Sequence, residues 1–172
     1  MSKLLVLDVF GVLCAKLPVD VPCSLPIIHA TKYYRVVERP LVRAVLAVLF
    51  ELYDVAVISS STPYNVTIAL KSLLSPQQLS ALRFVWTRDR THTDADTQYD
   101  TVKLLSDILE DPVINAAGQY SVCNTLICDD TAAKMRLNPP ANVLICAEFT
   151  GSQDDTGLVT LLREIGERFG AL

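Results

Sequence analysis

Five short, almost uninterrupted apolar runs punctuate the chain: "KLLVL" (3–7), "VAVI" (55–58), "RFVW" (83–86), "TLIC" (125–128) and "NVLIC" (142–146). Strands covered on both faces read this way, because neither side chain row meets water. Between the runs, apolar residues recur every three or four positions, the spacing of a helix with one buried face. Pro40 suits a first helical turn, and Leu41, Val45, Leu49 and Leu52 follow it. Val66, Leu70, Leu73 and Leu74 make a second stripe, and Val102, Leu105 and Leu109 a third. Leu158, Leu161, Leu162, Ile165 and Phe169 make the last, with Asp154 and Asp155 placed to cap it. Strand and helix in alternation predict an α/β fold, a parallel sheet covered by helices.

Two segments break that rhythm. Residues 15–39 contain Pro18, Pro22 and Pro26 and predict an irregular excursion or short hairpin after the first strand. "RDRTHTDADTQ" (88–98) is polar and predicts an exposed loop. There is no internal repeat and no boundary of a second domain, so residues 1–172 are expected to form one domain.

Charge and cysteine content narrow the function classes. The net charge of −4 and the lack of a basic block argue against direct nucleic-acid binding. No apolar run nears the roughly 18 residues of a membrane helix. The five cysteines (Cys14, Cys23, Cys123, Cys128, Cys146) lack the close pairs of a zinc site, and three lie in or beside strand patterns. They read as core thiols of a reducing compartment. The first strand begins near Lys3, which leaves no room for a cleaved leader; a cytoplasmic or nuclear location is the expectation.

The informative residues are those that end the strands. The first run ends at Asp8, the second at "SSST" (59–62) and the fourth at Asp129 and Asp130. In an open parallel sheet, ligands bind beyond these carboxyl ends. A lone aspartate there is more often a cap, and serines before Pro63 commonly start a helix. Adjacent carboxylates are harder to dismiss. Two unit charges 4 Å apart repel by about 4 kcal/mol at an effective dielectric of 20. Asp8 in the same crevice adds to that repulsion, and a divalent cation or a raised pKa relieves it.

In order along the chain, "LLVLDVFGVLC", "VAVISSSTPYNV", "VKLLSDIL" and "NTLICDDTAAKMRLNPPAN" resemble the haloacid-dehalogenase superfamily. The likeness is closest to its NLI-interacting-factor-like branch, the FCP1 homology type. That branch includes the phosphatases of the RNA polymerase II C-terminal domain. The resemblance implies a Rossmann-like three-layer sandwich, a sheet of about five parallel strands in the order 5-4-1-2-3, and no large cap domain. It implies Asp8 as the nucleophile that accepts a phosphoryl group and ligates Mg2+, with the Phe10 carbonyl as a second metal ligand. Ser59 and Ser60 would hold phosphate oxygens, and Lys103 would pair with Asp8 and the phosphate. Asp129 and Asp130 would complete the metal site. Lys134 reads as an i, i+4 partner of Asp130 or a second cation for the site, and Lys103 alternatively as a solvated helix residue.

One position departs from the pattern. The family places an aspartate two residues after the nucleophile, as general acid for the leaving alcohol; here it is Phe10. Acid–base help is typically worth about 10²–10⁴-fold, or roughly 3–5 kcal/mol. Three readings follow. One is a protein that binds Mg2+ and a phosphoprotein ligand with weak or absent hydrolysis. Another is an inactive pseudophosphatase acting as a scaffold for a protein partner. A third is a true dehalogenase, whose halide leaves without a proton; the stretch from Cys14 to Glu38 is too short for the helical cap of that class. An uncapped cleft suits a macromolecular partner segment. Nothing in the sequence defines the oligomeric state.

Overall fold

The computed structural model describes residues 2–93 and 101–170. In chain order the elements are β1 (Leu4–Leu7), β2 (Cys14–Pro18), β3 (Ile27–Ala30), β4 (Tyr34–Glu38), α1 (Val42–Leu52) and β5 (Asp54–Ile58). Next come α2 (Pro63–Leu73), α3 (Pro76–Ala81), β6 (Val85–Trp86), β7 (His92–Thr93), β8 (Thr101–Val102) and α4 (Leu105–Glu110). The chain continues through β9 (Thr125–Asp129), α5 (Ala132–Met135), β10 (Val143–Ile145) and α6 (Gly157–Phe169).

The main sheet runs β10-β9-β1-β5-β6, all parallel, which is the expected order 5-4-1-2-3. β1 is central and fully buried, so each of its side chains contributes roughly 1.5–3 kcal/mol of hydrophobic burial. Alternate residues serve opposite layers, as the two-residue period of a strand requires. Leu5 and Leu7 pack with residues of α1, α2 and α6, whereas Leu4 and Val6 pack with Leu105, Ile108 and Met135 of α4 and α5. The result is a three-layer sandwich. No described helix is long and apolar enough to cross a membrane.

Several expectations need correction. Residues 15–39 are not an irregular excursion; β3 and β4 make a short hairpin, the other expectation, and β2 extends it to a three-stranded antiparallel sheet. Pro18 ends β2, and Pro22 and Pro26 lie in the connection to β3, so none interrupts a ladder. Pro40 lies outside α1, which begins at Val42 after Leu41 turns left-handed (φ 65°). Leu41 and Leu52 are exposed and lie outside the core stripe. Val102 is not helical either. It pairs with His92 in a two-stranded ribbon, and α4 starts only at Leu105. Asp155 accepts the Gly157 N–H at the start of α6, but Asp154 caps nothing there. Residues 88–90 form an exposed helical turn and 92–93 a short strand; 94–98 lie outside the described residues. The cysteines are free thiols, with Cys14, Cys128 and Cys146 buried.

A buried arginine ties the loop after β1 to the C-terminal helix. Arg39 is 1% exposed. Its guanidinium donates to the carbonyls of Gly11, Val12 and Ala147 and makes a bidentate pair with Asp155 at 2.6 and 3.0 Å. A Cβ on Gly157 would stand 1.9 Å from Arg39 Nη2, so a glycine at 157 makes room for the clamp. Arg39→Ala would strand the Asp155 carboxylate and three carbonyls at once. Urea unfolding is expected to show a loss of about 3–5 kcal/mol, the usual cost of breaking a buried pair from one side.

Candidate phosphoryl and metal site

The register of the sheet builds the site. Leu7 lies opposite Cys128 in the parallel pair β1–β9, so the next residue of each strand, Asp8 and Asp129, emerges side by side. The Asp8 N–H donates to the Cys128 carbonyl at 2.9 Å, holding that alignment one residue past the strand. On the other side, Ser59 follows β5 directly, and its N–H donates to the Trp86 carbonyl. Asp8, Ser59 and Asp129 are each at most 2% exposed. One oxygen from each of Asp8, Asp129 and Asp130 lies within 4.8 Å of the others.

Lys103 joins this group, and not as a solvated helix residue. It is fully buried. Its Nζ lies 3.0 Å from Asp8 Oδ1 and 2.5 Å from Asp129 Oδ2. Its backbone is clamped in the extended stretch before α4: its N–H donates to the Lys134 carbonyl at 3.0 Å, and its carbonyl accepts from Asn138 Nδ2 at 2.7 Å. Asn138 Oδ1 also accepts the Leu105 N–H. Asn138 has no role in the sequence analysis, although it begins the "NPP" of the fourth block that carries the family resemblance. Lys134 lies 3.8 Å from both Asp129 Oδ1 and Asp130 Oδ1, so it serves the site as well as the i, i+4 pair. Ser60 is brought to the same mouth, but its hydroxyl is engaged with that of Thr101.

Gly11 explains the glycine in "DVFG". Its φ is +89°, and a Cβ there would stand 1.9 Å from Asp130 Oδ2. The loop after β1 can therefore close against Asp130 only with glycine at this position. Thr131 fixes the other side of the acidic pair: its N–H donates to Asp129 Oδ1 and its hydroxyl to Asp130 Oδ1, both at 2.8 Å.

Electrostatics separates the three carboxyls. Burial raises the pKa of Asp8, with Lys103 opposing and Asp129 reinforcing. Burial also works against the Asp129 carboxylate, but the Lys103 charge and bonded neighbours outweigh it and hold its pKa low. Asp130 is pushed up to about 6 by burial and by its bond to Asp129. The Lys103 ammonium suffers the largest penalty from burial, yet Asp8 and Asp129 together keep it protonated.

The arrangement fits a small divalent cation. Asp8 Oδ1 is buried and, apart from the Lys103 ammonium, meets no hydrogen-bond donor among the described residues, and three hard oxygen donors share one pocket with two ammoniums, one charge short of neutrality. Mg2+ takes such oxygen ligands at about 2.0–2.1 Å and keeps several waters, so a partial protein shell suffices.

Two outcomes are expected for the cation-free protein. Lys103→Met leaves two buried carboxylates without their shared partner. Chemical denaturation at neutral pH should show a loss of about 3–5 kcal/mol, shrinking in acid as the carboxylates take up protons. For Asp130, the folded state holds a proton between pH 3.8 and about 6 that the unfolded chain has released. Its contribution to stability is therefore present below pH 3.8 and lost as the pH rises through about 6. Asp130→Asn should flatten that part of the stability–pH curve.

No curated protein sequence matches the chain. Among solved structures, it is similar to a variant of the fission yeast RNA polymerase II CTD phosphatase Fcp1 bound to beryllium fluoride, with TM-score 0.57 and 14% identity. That match covers 99% of this chain and 50% of the other. A second similar structure is that of Fcp1, an essential RNA polymerase II CTD phosphatase, with TM-score 0.58 and 13% identity over 99% of this chain and 49% of the other. The chain thus spans about half the length of these structural relatives, and the likeness establishes a shared fold. The family model described as NLI interacting factor-like phosphatase matches residues 3–168. The chain belongs to the NLI interacting factor-like phosphatase family.

Proposed function

We propose that the chain binds Mg2+ and a phosphorylated protein segment at the strand-end mouth, and that it hydrolyses phosphomonoesters weakly or not at all. The observation that carries this reading is the pairing of an intact acidic centre with Phe10. Asp8, Lys103, Asp129 and Asp130 stand together, while Phe10 lines the same cavity as Asp8 and Ser59. Nothing at position 10 can deliver a proton.

Asp8, Asp129 and Asp130 would hold the ion, with the Phe10 carbonyl as a further oxygen donor. Bound there, the ion would neutralise charge on the phosphoryl oxygens and favour the ionised form of Asp8. The other steps belong to the chain. The Asp8 carboxylate forms a bond to phosphorus as the ester oxygen departs with its electron pair. Lys103 holds positive charge against Asp8 and the transferring group, and Ser59 Oγ orients a phosphate oxygen. What fails is protonation of the leaving oxygen. An aryl oxide tolerates that loss and a serine alkoxide does not, so binding outlasts turnover.

The same missing acid favours a second reading, in which the domain is an inactive scaffold. Capture of one partner equally by wild type and Asp8→Asn would favour the scaffold. A dehalogenase is disfavoured, because the insert between β1 and α1 is an antiparallel sheet and not a helical cap.

Three measurements test the proposal. Mg2+ should raise the Tm of wild type more well above pH 6 than well below it, because a proton on Asp130 competes with the ion. Calorimetry should show this binding weakened in Asp8→Asn and Asp129→Asn. Phe10→Asp should raise alkyl-phosphate turnover by about 10²–10⁴-fold and aryl-phosphate turnover by much less. Unchanged Mg2+ affinity in both asparagine variants, or no response of either ester to Phe10→Asp, would reject it.

A further inference from the structure

The cavity above Asp8 and Ser59 holds about 350 Å³, more than a single phosphoryl group fills, and Lys16, Arg88 and Lys134 stand in its wall. This is concentrated positive charge in a chain whose net charge is −4. Lys103 is committed to Asp8 and Asp129, and Lys134 faces Asp129 and Asp130. Lys16 and Arg88 meet no carboxylate among the described residues. Arg88 is anchored by its Nε, which donates to the Ser60 carbonyl at 2.9 Å.

Lys16 is positioned differently. It projects from β2, and its ammonium stands 4.3 Å from the centre of the Phe10 ring and 5.4 Å from that of Tyr34. The Tyr34 hydroxyl donates to Asn65 Oδ1 on α2, which steadies the second ring. Two aromatic faces attract and orient the cation without neutralising it. Burial and the Arg88 charge both disfavour the Lys16 ammonium, as expected for two cations that share a wall without an anion. Phe10 is thus more than a lost acid. Its ring is the floor on which Lys16 rests.

We propose that Lys16 and Arg88 form a second anion subsite beside the phosphoryl position, so that the preferred ligand is a phosphorylated peptide carrying another negative side chain next to its phosphorylated residue. The inference rests on the reading of the Asp8 mouth as a phosphate site and adds a specificity to it.

The test is calorimetric titration, with Mg2+ present, of two synthetic peptides. One has a phosphoserine among alanines and glycines; the other has the same phosphoserine followed by glutamates. Wild type should bind the acidic peptide about tenfold tighter, equivalent to about 1.4 kcal/mol, and added salt should shrink the difference. Lys16→Met and Arg88→Met keep long stems and remove charge; each should weaken the acidic peptide more than the neutral one. Phe10→Leu should lower the preference in part, because the ammonium remains but loses its platform. Thermal melts establish that each variant is folded. Equal affinity of wild type for both peptides, or a preference that survives Lys16→Met, overturns the subsite and leaves the phosphate reading standing. Binding of neither peptide by wild type overturns both.

Discussion

A single ammonium, that of Lys103, is enclosed between carboxylates from two strand ends, and much of the site depends on it. Buried like charges repel strongly, and a buried cation is costly without close partners. The cluster is tolerable only when all members arrive together. β1 and β9 must pair in the register that places Asp8 beside Asp129, and the segment before α4 must be held extended so that Lys103 reaches both. Asn138 and the Lys134 carbonyl perform that holding, and both come from the segment just after the Asp129–Asp130 pair. Residues 129–138 therefore supply acids, a second cation and the clamp for the first.

This distribution explains what was legible in the amino-acid order. The central strands were readable because burial on both faces leaves continuous apolar runs, and Asp8, Ser59, Asp129 and Asp130 were readable because they interrupt those runs at one end. The Lys103 segment was misread for a definite reason. Val102, Leu105 and Leu109 have helical spacing, but the bonds that keep Lys103 and Leu104 extended come from residues some thirty positions away. Propensity cannot see such partners. The insert was legible only as an irregular excursion or a short hairpin, because its prolines suggested irregularity, although they fall at the end of β2 and in the connection to β3. Arg39 gave no local sign at all, since its partners are scattered from Gly11 to Asp155.

Phe10 stands at the mouth, lining the same cavity as Asp8 and Ser59. The fold is secured by residues far from the mouth, including the layers on both faces of β1 and the Arg39 clamp. None of these contacts requires an acid at position 10. Fold therefore does not fix activity here: Phe10 stands in the loop after β1 while the acidic centre below it stays assembled. The Phe10 ring has its own neighbours, Lys16 and the cavity wall.

Lys16 lies opposite Val36 in the β2–β4 ladder, and along β2 only the side chains of Lys16 and Pro18 turn outward. A slip of that ladder by one position would swing the ammonium inward and turn Ala15 and Leu17 toward water. The polarity of the rim is thus decided by how two short strands align. Re-pairing of these two strands out of register would therefore invert the character of the entrance.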